Sequence, residues 1–136
     1  MRHDQRLAHE ALRRFPEVRT HGADDEDSAY EILGWVVDWL ATIAMPVVDD
    51  AVVQRVIDFD NWCMEQPRGQ DANDDIATIE QVSFKEPLFQ HDELLPLVVK
   101  LMPREELDVN RDYLISWVGR DRYEAALRLA DYVAQR

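Results

Sequence analysis

Asp60 stands where a carboxylate is least expected. On a helix spanning about Asp50 to Gln66, Val52, Val56, Phe59 and Cys63 follow one line, with Val53, Ile57 and Met64 widening that face on one side and Trp62 on the other. Asp60 falls inside this apolar arc, whereas Asp58, Asn61 and Glu65 point outward. A carboxylate in such a setting either hydrogen-bonds a neighbouring helix or is held for ligand chemistry. In the second case, Asp38 or Glu86 would complete a small-molecule or metal site with Asp60 between the central helices.

Other chemistry lacks its parts. Asp71-Ala72-Asn73-Asp74-Asp75 has the leading ligand spacing of a calcium loop, but Ile76 replaces the turn glycine and Val82 the bidentate glutamate. The segment reads instead as a polar linker that caps the next helix. His3 and His9 are six apart, on different helix faces, His21 is isolated, and His91 beside Asp92 and Glu93 reads as an exposed turn. The lone Cys63 lies on an apolar line that leaves a thiol inert, and it permits no internal disulfide. Four scattered glycines make neither a P-loop nor a dinucleotide turn. No catalytic residue, metal ligand or cofactor is therefore assigned, and an enzyme is not the expected class.

The chain has 136 residues and a net charge of −13. Residues 24–93 hold eighteen acids against three Lys or Arg, a net −15, while residues 1–23 carry +2 and residues 94–136 balance. Such a field repels nucleic acid and anionic lipid and attracts a basic protein. Asp24, Asp25, Glu26, Asp27, Asp71, Asp74 and Asp75, all in linkers, are the candidate docking residues. The bland alternative is that these charges only keep the protein in solution. No apolar run approaches bilayer length; the nearest, Ile32 to Met45, is broken by Gly34, Asp38 and Thr42. With a charged amino terminus and one cysteine, a cytoplasmic protein is expected.

Proline and glycine leave segments of helical length between them. The expectation is an all-α single domain over residues 1–136, a bundle of about six to seven helices in antiparallel pairs. Residues 1–27 supply an amphipathic helix and an acidic linker, and residues 28–136 the helical core. A helix opening with the capping box Ser28–Glu31 carries Ile32, Leu33, Trp35, Val36, Val37, Trp39, Leu40 and Ile43 around more than half its circumference, so it sits at the centre. Further helices are predicted from Ile76 to about Pro87, from Asp92 to Met102, from Pro103 to Val118 with Gly119 as its stop, and from a second capping box, Asp121–Glu124, to Ala134. Thr78–Phe84 and Tyr113–Val118 are rich enough in β-branched and aromatic residues to be strands instead.

The stretches V-I-D-F-D-N-W-C-M (56–64), V-S-F-K-E-P-L-F (82–89) and L-L-P-L-V-V-K-L-M-P (94–103) resemble a group of small helical bacterial proteins of unassigned function, some of them thought to be immunity partners of secreted toxins. The resemblance covers roughly residues 50–118. It implies a helical fold and partner binding, and it carries no functional residues across. Three readings follow: an acidic module that docks a basic protein, a small-molecule or metal site near Asp60, and a homodimer joined through Val53, Ile57 and Met64.

Overall fold

In the computed structural model, residues 2–44 and 48–135 are described. Met45 and Pro46, the end of one predicted apolar run and the break after it, lie outside them. The chain is all-α: α1 (His3–Arg14), α2 (Val18–His21), α3 (Ala29–Ile43), α4 (Asp50–Glu65), α5 (Ile76–Glu80), α6 (Glu86–Leu88), α7 (Leu95–Leu101), α8 (Arg104–Val109), α9 (Arg111–Val118) and α10 (Arg120–Ala134). A π-helical turn, Gln81–Lys85, joins α5 to α6 without a break, and 3₁₀ turns lie at Ala72–Asp74 and Asp92–Leu94. Among the described residues there is no strand, so Thr78–Phe84 and Tyr113–Val118 are both helical. No helix of the described residues is long and apolar enough to cross a membrane.

α3 takes the central place that its apolar circumference requires. Ser28 Oγ accepts from the Glu31 amide at 3.2 Å, while Glu31 Oε1 accepts from the Ser28 amide at 3.0 Å, which starts the helix at one residue. From there Ile32, Leu33, Val36, Val37, Trp39 and Leu40 are buried against α1, α2, α5, α6 and the π turn. A file of aromatic rings crosses the core from α3 to the π turn. Trp39 meets Phe15 at 6.2 Å, Phe15 meets Phe59 edge-on at 5.5 Å, and Phe59 meets Phe84 edge-on at 5.8 Å. One contiguous apolar cluster extends from Leu7 on α1 to Ala130 on α10.

Three local features differ from the expectation. Val18–His21 adds a short helix ended by Gly22, whose φ of 147° and contact with the Trp35 ring leave no room for a side chain. Asn110 splits the predicted 103–118 helix: its side-chain amide donates to the Glu106 carbonyl at 2.8 Å and competes with the regular ladder. The second capping box does not form, because the cap of α10 lies two residues earlier than Asp121, at Gly119, which offers no side chain. The helical run from Ile76 ends at Leu88, one residue past Pro87 and close to its expected end.

Pro87 explains the π turn. Its ring clashes with the carbonyl four residues back and it has no amide to donate there. The helix relieves this by widening, so that the Glu86 amide donates to the Gln81 carbonyl, five residues back. In an α-helix, residues five apart lie about 140° apart around the axis. The wider turn instead lets Glu80 and Lys85 approach on one side, with the Lys85 ammonium 3.8 Å from Glu80 Oε1.

Candidate functional site

A cleft of about 660 Å³ opens where α4, α5 and the π turn meet α7, α8 and α9. Its size suits a small molecule or a few side chains of a partner. α4 contributes Ile57, Asp60, Asn61 and Met64, the α5–π segment contributes Thr78, Gln81 and Lys85, and the far wall carries Lys100, Met102, Glu106, Asn110 and Tyr113.

The inner wall is charged. Asp60 is 8% exposed and Lys85 6%, and the ammonium lies 2.7 Å from Asp60 Oδ1. That approach is an ion pair without the alignment of a hydrogen bond. Behind it Glu80 is fully buried, and neither of its carboxyl oxygens has a hydrogen-bond partner among the described residues. Burial lifts the Glu80 carboxyl well above the ordinary carboxylate range; the Lys85 charge opposes this and the Asp60 charge adds to it. The Lys85 ammonium is itself disfavoured by burial, but the charges of Glu80, Asp60 and Glu106 more than compensate and raise its pKa. Burial therefore favours the neutral form of the Glu80 carboxyl, while the surrounding acids favour the charged Lys85 ammonium.

A second buried carboxylate serves the other wall. Glu86, 6% exposed, accepts from the Tyr113 hydroxyl at 2.8 Å and from the Gln81 amide at 3.3 Å, both through Oε2. The Tyr113 phenol is pushed up to about 12, by burial first and then by the bond and charge of Glu86. This fixes Tyr113 at the cleft wall with its ring 6.2 Å from that of Trp117, one turn further along α9. Trp117 is 64% exposed, and Val109 and Met64 are also open to solvent. A large exposed aromatic side chain in contact with a cleft-lining tyrosine is the kind of group that anchors a contact surface.

The sequence-predicted residues separate into three places. Asp60 lines the cleft and Glu86 braces it through Gln81 and Tyr113, but Asp38 does not join them. It lies on the outer side of α3, 2.9 Å from His21 Nε2, because α3 buries its opposite face.

The acidic loops hold their own backbone. Asp24 accepts from the Glu26 amide, Asp27 from the Asp24 amide and Asp71 from the Asn73 amide, while Asp25 pairs with Arg19 at 2.7 Å. Asp74 accepts from the Asp4 amide at 3.4 Å. The Tyr30 hydroxyl donates to Asn73 at 3.3 Å and ties the start of α3 to the 71–75 loop.

Asp75 is a correction to the docking set: it is 4% exposed and spent on the amides of Gly69 and Thr78 and the Thr78 hydroxyl. These bonds hold its carboxyl below the usual range, as does Arg68 beside it. Its work is to cap α5, so a partner would not reach it.

Cys63 is fully buried, and its thiol is pushed far up by burial and then by the charges of Glu80 and Asp60. It packs rather than reacts. Among the described residues no three His, Cys, Asp or Glu side chains gather closely enough to hold a metal ion. Of the proposed dimer face, Val53 and Ile57 pack partly against the core, and Ile57 and Met64 line the cleft.

Comparison of the chain with known protein families, with characterised proteins and with solved structures found no match. The case for function therefore rests on the geometry. Lys85, Glu80, Tyr113 and Trp117 carry most of that geometry and were not singled out by sequence. The available signal was Pro87, whose position inside a helical run implies the register change that brings Glu80 to Lys85.

Proposed function

We propose that this chain is a non-catalytic interaction module that binds a basic protein partner in the cytoplasm, in the manner of an immunity protein. The single observation carrying this reading is Trp117: an indole 64% exposed, in contact with a tyrosine held in place by a buried carboxylate. An indole left in water beside a preformed cleft is what an interface anchor requires, because little ordering remains to be done on binding. The acidic loops at 24–27 and 71–74 then steer a basic partner towards the surface.

Affinity capture on the immobilised chain, at low and moderate salt, tests this reading. Retention of a basic protein that weakens as salt rises supports it, and its absence under both conditions counts against it.

A second reading is favoured by the cleft itself. A small-molecule site with Asp60 on its wall and Glu86 behind Tyr113 would use the same concavity, without Asp38. A rise in melting temperature with one member of a metabolite panel would support it, and a flat response would not.

A further inference from the structure

The cleft's polar lining divides into groups already partnered and groups that are not. Asp60 and Lys85 pair with each other, and Arg68 lies 3.4 Å from Asp75, which also accepts from the Thr78 hydroxyl. Gln81 and Tyr113 are both committed to Glu86, and the Asn110 amide donates to the Glu106 carbonyl. Three side chains are left over: Asn61, Lys100 and Glu106 line the cleft and make no side-chain hydrogen bond or ion pair among the described residues. Two of the three are opposite full charges that share one concavity without meeting, although the Glu106 charge is felt at Lys85. The same cleft lining includes the apolar side chains of Ile57, Met64 and Met102.

The inner wall adds an independent sign of a built site. Glu80 is wholly buried with two unsatisfied oxygens, directly behind an ion pair that faces the cleft, and it immediately precedes the π turn that carries Lys85. Unsatisfied buried carboxyls and π turns both cost stability and both concentrate at functional sites. Resting on the small-molecule reading above, we infer that the cleft binds a small zwitterion with an apolar body, of the chemical class of free α-amino acids with long aliphatic or aromatic side chains. The ligand carboxylate would meet Lys100, its ammonium Glu106, and its side chain the Met64–Met102 wall. A ligand with one charge would leave one of the two residues without a partner. A ligand with both satisfies each without moving the Asp60–Lys85 pair.

Isothermal titration with L-methionine, L-leucine and L-phenylalanine tests this, each beside its N-acetylated and its carboxamide derivative. At least one free amino acid is expected to saturate the site, with both derivatives weaker by about tenfold or more, since each loses one charge-assisted contact. Lys100→Gln and Glu106→Gln should each weaken binding similarly. Both residues are exposed, so an unchanged melting temperature would show that these variants stay folded. The double exchange Lys100→Glu with Glu106→Lys should recover part of the affinity. Derivatives that bind as well as the parent would overturn the zwitterion while leaving a ligand cleft in place. Absence of any binding to the native chain at millimolar concentration would overturn both.

Discussion

Lys85 Nζ lies 2.7 Å from Asp60 Oδ1, and both residues are more than nine-tenths buried. The two lie 25 residues apart in sequence, Asp60 on α4 and Lys85 at the end of the π turn that precedes Pro87. This pair lines the cleft from its buried side.

Breaking the pair from one side should be costly. Lys85→Met leaves Asp60 as an uncompensated buried charge and is expected to destabilise by about 3–5 kcal/mol. Replacing both, as Asp60→Leu with Lys85→Met, should recover most of that loss. Urea denaturation of the three proteins gives the answer; a double variant no better than the single would mean that the two side chains do not act as a pair.

Glu80 makes stability depend on pH in a stated direction. Its folded-state pKa is raised from the ordinary 4.5, so the native state holds the proton more tightly than the unfolded chain does. The stabilisation is complete below about pH 4.5 and declines as pH rises toward the raised value. Glu10, Glu17 and Asp75 are shifted the other way and weaken the fold as pH falls. The informative quantity is therefore the difference between the native chain and Glu80→Gln. The stability of the native chain relative to the variant should fall as pH rises above about 4.5, read from urea midpoints; a constant difference would contradict a raised Glu80 pKa.

Two glycines should respond in opposite directions to alanine. At Gly22 an added Cβ would lie 2.4 Å from the Trp35 ring, on backbone with φ of 147°, so Gly22→Ala should cost well over about 1 kcal/mol. At Gly34, on the exposed side of α3 with nothing within 4 Å, the same change should stabilise by roughly 0.5–1 kcal/mol. Thermal melts of the two variants check the pair.

Asp25 and Glu26 are exposed and neither caps a helix. Changing them to Asn and Gln is expected to slow association with a basic partner and flatten its salt dependence, while dissociation stays nearly constant. Stopped-flow measurements at two ionic strengths would show this, and a change confined to dissociation would contradict a steering role.

The fold was legible because its signals are local. Apolar period fixed α1, α3, α4 and α10, and the Ser28–Glu31 box placed the start of α3 to the residue. Asp60 could be recognised for the same reason, since a carboxylate on an apolar arc is visible on a helical wheel. Its partner could not, because Glu80 and Lys85 are five apart and share a side only after the helix leaves α geometry. Asp38 was grouped with Asp60 by its place on a buried helix, yet it occupies that helix's narrow polar stripe and faces His21. Asp75 was read as linker surface, whereas a capping aspartate must turn inward to reach the amides it serves. Trp117 lay in a segment with two readings, and its exposure depends on which face of α9 the rest of the fold covers, which local spacing does not state.

The most direct test of the interaction reading is the affinity of a captured basic partner for the native chain and for Trp117→Ala. As an interface anchor, Trp117 should contribute at least about 2 kcal/mol, so truncation is expected to weaken binding by roughly thirtyfold or more while the melting temperature stays the same. An equal dissociation constant for the two proteins would contradict the account.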